Sequence, residues 1–130
     1  IVRMSTCKVD PSEKGLRKTL REYEELALRH IWAMGEEGAG SAKTWSYVND
    51  KLGDGGPISR ASIIFFLNRM VDEGVLDYRD ATGKGGHHRI YVPKLDEEGY
   101  KKYIVKTICK SVMTDFPDVA KEAIKECLSK

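Results

Sequence analysis

Apolar residues recur at helical spacing from about Thr19 to Met34, where Leu20, Tyr23, Leu26, Ala27, Ile31 and Met34 fall on one side. Thr19 and Glu22 have the spacing of a capping box, and Gly35 follows as a stop. A second helix is predicted from Ser41 to Leu52, with Ser41 as its cap and Trp45, Val48 and Leu52 on its inner face. The run Gly53-Asp54-Gly55-Gly56-Pro57 cannot continue it. A third helix is predicted from Ser59 to about Glu73, with Ile63, Phe66, Leu67 and Met70 facing inward and Gly74 just past its end. From Val75 the pattern changes to two short strand-like runs around Ala81-Thr82-Gly83-Lys84-Gly85-Gly86, which reads as a β-hairpin ending at Pro93. Helical spacing returns from about Asp96 to Met113 and from about Pro117 to Leu128.

Three helices followed by a two-stranded wing is the order of a winged helix-turn-helix, so the expected class is mostly α with a small β-wing and further C-terminal helices. The expected division is an N-terminal extension over 1–18, a winged DNA-binding domain over 19–94 and a helical region over 95–130. The first C-terminal helix has two apolar rows, one of Tyr100, Ile104, Ile108 and Val112 and another of Val105, Cys109 and Phe116. A helix with two such rows needs two partners, which makes this region the expected dimerisation element. Ile124 and Leu128 lie on the single stripe of the last helix and join it.

Composition narrows the classes further. A chain of 130 residues with 41% apolar and 32% charged side chains suits one globular domain with an appendage. No run approaches the length of a membrane span, and Ile1 to Lys8 lacks the apolar core of a signal peptide, so the expected compartment is the cytoplasm. Three distant cysteines, Cys7, Cys109 and Cys127, suggest buried free thiols rather than a disulfide or zinc framework, and no cofactor is expected. The net charge of +2 hides an uneven distribution. Basic groups exceed acidic ones over 1–20 and 59–94, acidic ones dominate 21–58, and 95–130 is balanced.

Residues Glu22 to Pro93 resemble the penicillinase-repressor and methicillin-repressor family. Glu24 to Trp32 is similar to its first helix, Ser41-Ala42 to the start of its second, and Ser59-Arg60-Ala61-Ser62-Ile63 with Leu67, Arg69, Met70, Gly74 and Leu76 to its recognition helix and exit. Arg89-Ile90-Tyr91 resembles the second strand of its wing. The resemblance implies a dimeric repressor that holds an operator with its winged domain and dimerises through C-terminal helices. Ile64 and Phe65 depart from the family, whose recognition helix carries polar or basic groups there. No Asn-Phe cleavage pair follows the wing, and Cys109 and Cys127 do not match the Cys-x-Cys motifs of copper-responsive relatives.

Phosphate contacts need cations, so Arg79, Lys84, His87, His88 and Arg89 of the hairpin are the expected clamp, unless the hairpin is simply a solvated charged surface. Ser59, Arg60 and Ser62 open the third helix, where amides and hydroxyls suit phosphate and Arg60 suits a guanine edge, although Ser59 serves equally well as a cap. Asn68 and Arg69 are expected to face outward, and Lys43 and Thr44 offer an anchor at the second helix or an ordinary exposed first turn. Ile64 and Phe65 suit thymine methyls, a protein partner or a wider core contact; the expectation adopted is Phe65 partly buried and Ile64 near DNA.

Other motifs carry less. Gly35 to Thr44 has the look of a phosphate loop, but the Gly40 to Lys43 spacing and the preceding helix are wrong for one. His87 and His88 are neighbours in a strand and point to opposite faces. Trp32 and Trp45 are expected in the core, and no catalytic constellation can be assembled. The sequence thus reads as a transcriptional regulator, a homodimer on duplex DNA with an inverted-repeat operator. The alternative is a winged protein-interaction module that does not bind DNA.

Overall fold

The structure, a computed structural model, describes residues 8–83 and 86–129. Its helices are α1 (Glu22–Met34), α2 (Ser41–Leu52) and α3 (Arg60–Asp72), followed by strands β1 (Leu76–Gly83) and β2 (Gly86–Pro93) and helices α4 (Glu97–Asp115) and α5 (Pro117–Leu128). The expected winged helix with C-terminal helices is therefore the fold. The two strands pair antiparallel from Leu76 with Pro93 to Gly83 with Gly86.

The inward stripes meet in one core, where Leu28, Ile31, Val48, Ile63, Phe66, Leu67 and Val75 are inaccessible to solvent. Burial of these side chains is the main force holding three short helices together, because each is worth about 1.5 to 3 kcal/mol removed from water. The core reaches further along the chain than the periodicity suggested. Leu16 is buried within it, so the expected extension over 1–18 contributes to the domain. At the other end Leu95, Tyr100, Tyr103 and Ile104 pack on the same core.

Tyr100 is thus not available for dimerisation, since it is only 2% exposed and its ring lies 6.0 Å from that of Trp32. Its hydroxyl shares a 3.0 Å hydrogen bond with Thr19. That bond also replaces the expected cap. Helix α1 begins at Glu22, and the Glu24 carboxylate accepts from the Arg21 backbone N–H at 2.8 Å. Helix α2 starts after Gly40 with no side-chain cap, contrary to the role expected of Ser41.

One glycine positions the wing. Ala39 exchanges backbone hydrogen bonds of 3.0 and 2.9 Å with Tyr91, which ties the segment before α2 to β2 as a short third strand. Gly38 precedes it with φ of +70°, and a Cβ there would run into the Tyr91 carbonyl oxygen and into the Val92 and Ile90 side chains at 2.8 and 2.9 Å. Only a residue without a side chain lets the two backbones meet here.

Two expectations about the interior fail. Cys109 is half-buried and Cys127 exposed, because both sit on helices with few layers around them; Cys7 lies outside the described residues. Trp45 is 37% exposed, since its indole N–H must reach the Ile58 carbonyl at 2.7 Å near the surface, whereas Trp32 packs against the core as expected and donates to the Leu95 carbonyl at 2.9 Å.

Candidate nucleic-acid interface

Helix α3 is the centre of the candidate surface. Ser59 caps it, its hydroxyl oxygen accepting from the Ser62 N–H at 3.1 Å and sharing a 2.9 Å bond with the Ser62 hydroxyl. Ile63, Phe66, Leu67 and Met70 are buried, so helical periodicity turns Ala61, Phe65, Asn68 and Asp72 to the opposite side, with Arg60 and Ile64 beside them. Phe65 is 69% exposed and Ile64 38%. Partial burial of Phe65 is therefore wrong: its Cβ points away from the four-residue stripe, and the ring is left 69% exposed.

Two polar clamps set the orientation of α3. On one side the Asn68 Oδ1 accepts from the Arg89 guanidinium at 3.0 Å and from the Tyr91 hydroxyl at 2.6 Å. Arg89 also lies over the Tyr78 ring, 3.8 Å from its centroid. On the other side Arg69 approaches the Glu24 carboxylate at 3.4 Å and the Glu73 carboxylate at 3.8 Å, and Glu73 accepts from the Tyr103 hydroxyl at 2.9 Å. Helix α3, the wing, α1 and α4 are thereby joined through clamps that include Asn68, Arg69 and Arg89, which the pattern alone assigned to DNA.

Several expected contacts must be corrected on this geometry. Thr44 is fully buried and donates to the Gly40 carbonyl at 2.9 Å, so it cannot anchor a phosphate. Arg69 turns inward because the buried Glu24 carboxylate needs a cation. Asn68 and Arg89 are half-buried and engaged with each other. Arg79 donates to the Glu36 and Glu37 carbonyls at 3.1 and 2.7 Å, holding the turn after α1 against the wing. Lys43, Ser59, Arg60, His87 and His88 are exposed, and Ser62 is half-buried. A Cβ at Gly40 would stand 3.8 Å from the His88 ring, so that histidine reaches back to the start of α2. Lys84 and Gly85 lie outside the described residues.

Beside α3, on the flank away from the wing, an open cleft brings Phe65 and Arg69 together with Val9, Arg17 and Arg21. Sequence reasoning missed this flank. The one available signal was the basic excess over the first twenty residues, which could not be assigned a place.

Between α1 and α2 His30 stacks on Tyr47, with ring centroids 4.5 Å apart, and its Nε2 has no hydrogen-bond partner. Burial, and then the charge of Lys43, hold its pKa below the ordinary 6.5. Among the described residues no group of three or more His, Cys, Asp or Glu is arranged to hold a metal ion, and no helix is long and apolar enough to cross a membrane.

The tail shows which apolar rows remain uncovered. Val105, Phe116, Val119 and Leu128 are 59%, 49%, 63% and 79% exposed. Ile104, Ile108, Val112 and Ile124 are half-buried. Ile104 packs on the winged core, so its row serves this chain before any partner.

Comparison with known proteins agrees with this architecture. Among curated proteins no individual sequence matches. The sequence profile described as Penicillinase repressor, in contrast, matches residues 20–130, covering the three-helix core, the wing and both C-terminal helices together. A match of that extent, on a chain whose winged fold and tail follow the same order, means that this chain belongs to the penicillinase repressor family, a family of regulators rather than enzymes.

Proposed function

We propose that the protein is a DNA-binding transcriptional repressor that acts in the cytoplasm as a homodimer on an inverted-repeat operator. The observation that carries this reading is the outer face of α3. Arg60, Ala61, Ile64 and Phe65 are exposed on a helix clamped on both sides, with exposed Lys43, His87 and His88 on the neighbouring elements. A rigid helix of this width fits the major groove, where Arg60 can read a guanine edge and Ile64 and Phe65 can meet thymine methyls. Membership of a repressor family supports the same conclusion.

Dimerisation is supported by the uncovered Val105, Phe116, Val119 and Leu128 on the two C-terminal helices. Two winged units related by a twofold axis would meet half-sites about one helical turn apart, or a multiple of it.

Exposed Phe65 and Ile64 also favour a second reading, a winged module that binds a protein. A mobility shift on duplex DNA across a salt series separates the two. Affinity falling steeply with salt supports the repressor, because released counterions dominate phosphate binding. Absence of any shift at low salt overturns it. Light scattering tests the dimer: Val105→Asp with Leu128→Asp should give a folded monomer, and a mass unchanged from the parent would place the interface elsewhere.

A further inference from the structure

Residues 8–21 carry five basic side chains against two acidic ones, and most of them precede the start of the family match at residue 20. They are nonetheless a folded part of the molecule. Leu16 and Leu20 are buried at 6% and 4% exposure. The Asp10 N–H donates to the Lys18 carbonyl at 2.7 Å, and the Asp10 carboxylate accepts from the Ser12 N–H at 3.0 Å and its hydroxyl at 2.6 Å. The Lys18 ammonium donates to the Pro11 carbonyl at 3.3 Å and also to that of Glu13.

This bonding separates the cations into two kinds. Lys18 closes its own turn. Arg17 and Arg21 are exposed, and among the described residues neither guanidinium forms an ion pair. Both line the cleft whose other wall is Phe65 of α3. Arg69 in the same cleft is already neutralised by Glu24. Two guanidinium groups without an ion pair among the described residues therefore stand on a turn anchored by Leu16 and Leu20, beside the exposed Phe65 ring of α3.

We infer that this turn is a second flank of the DNA interface, in which Arg17 and Arg21 hold phosphates on the side of α3 away from the wing. The inference rests on the DNA-binding reading given above. Its chemistry is that of planar five-donor forks, which take phosphate oxygens in pairs. Its geometry is continuity: a duplex whose major groove receives Phe65 must run a backbone along one edge of α3, and the cleft lies at that edge. The buried leucines fix the backbone of the turn before DNA arrives, so only the arginine side chains are left to be ordered on binding.

The test uses the full chain and a 30-base-pair duplex of random sequence, with anisotropy read over a salt series. Arg17→Ala with Arg21→Ala should lower the slope of log affinity against log salt by nearly two, and weaken binding roughly 50-fold at 0.1 M salt. Arg17→Lys with Arg21→Lys should keep the slope, because a phosphate accepts either cation. Melting should be unchanged in both, since neither side chain is buried. An unaltered slope in the alanine variant, alongside a reduced one for Lys43→Ala with Arg60→Ala, overturns this inference and leaves the repressor reading standing; the flank would then be open to an acidic protein. If the parent chain shows no salt-dependent binding at all, the repressor reading fails and the flank proposal fails with it.

Discussion

The two flanks of α3 are both rich in cations, yet they use them differently. On the wing flank Arg89 is committed to Asn68 and the Tyr78 ring, and Arg79 to the Glu36 and Glu37 carbonyls. On the flank formed by the first residues Arg17 and Arg21 face solvent, while buried leucines and the Lys18 bonds hold the turn. In the wing, a hairpin with little core of its own, arginines act as struts. The N-terminal turn is held by apolar side chains, which leaves its arginines for a ligand. A formal charge count cannot tell these uses apart.

The largest effect should come from cutting the wing off at its backbone attachment. Gly38→Val puts a branched side chain at φ of +70° against Tyr91, Ile90 and Val92. The left-handed conformation and the collision together should cost about 3 to 5 kcal/mol, a fall in Tm of roughly 10 to 20 °C. Thermal unfolding checks it. A variant that melts like the parent would mean that the contact between Ala39 and Tyr91 does not hold the wing.

Next in size is the strut itself. Arg89→Ala leaves Asn68 with one partner and the Tyr78 ring uncovered, and should lower stability by about 1 to 2 kcal/mol as well as weakening DNA binding. Arg17→Ala with Arg21→Ala should weaken binding with melting unchanged. Equal losses of Tm in the two variants would abolish the contrast between the flanks.

Phe65→Ser should change stability by less than about 0.5 kcal/mol, since the ring is 69% exposed. Binding to thymine-containing specific sites should weaken while random duplex is bound as before. Uniform weakening on all duplexes would show that Phe65 does not read bases.

The smallest effect is a pH dependence at the contact between α1 and α2. His30 has its folded pKa lowered by burial, so the unfolded chain binds its proton more readily. Stability is fully present above the unfolded value of about 6.5 and declines as pH falls from there toward the lowered folded value. His30→Gln should flatten Tm against pH in that window. A slope identical to the parent's would mean that another group is responsible.

Much of the fold was legible because its signals are local. Buried Ile63, Phe66, Leu67 and Met70 declare α3 by spacing, Ser59 and the Gly-Pro turn mark its start, and Gly83 to Gly86 marks the hairpin. Tyr100 was misassigned because an apolar row looks the same whether it covers its own core or a partner's. Phe65 was misjudged because its apolarity suggested burial, although 100° per residue already placed it opposite the stripe. Thr44, Asn68 and Arg69 were assigned to DNA because their polar groups suited it, and each had a partner inside the fold.

By itself the chain therefore determined the order of elements, the inner face of each helix and the winged architecture, since hydrophobic periodicity and backbone stops act between near neighbours. Which polar side chains are free to meet a ligand was decided only in the tertiary structure. Arg69 finds Glu24, Arg89 finds Asn68 and Thr19 finds Tyr100 across tens of residues of sequence, and Leu16 anchors a turn that has no helical pattern of its own. Long flexible side chains pair with whatever the packed core brings within reach, and most buried polar atoms find a partner there. The cations left unpaired are thus a property of the assembled fold.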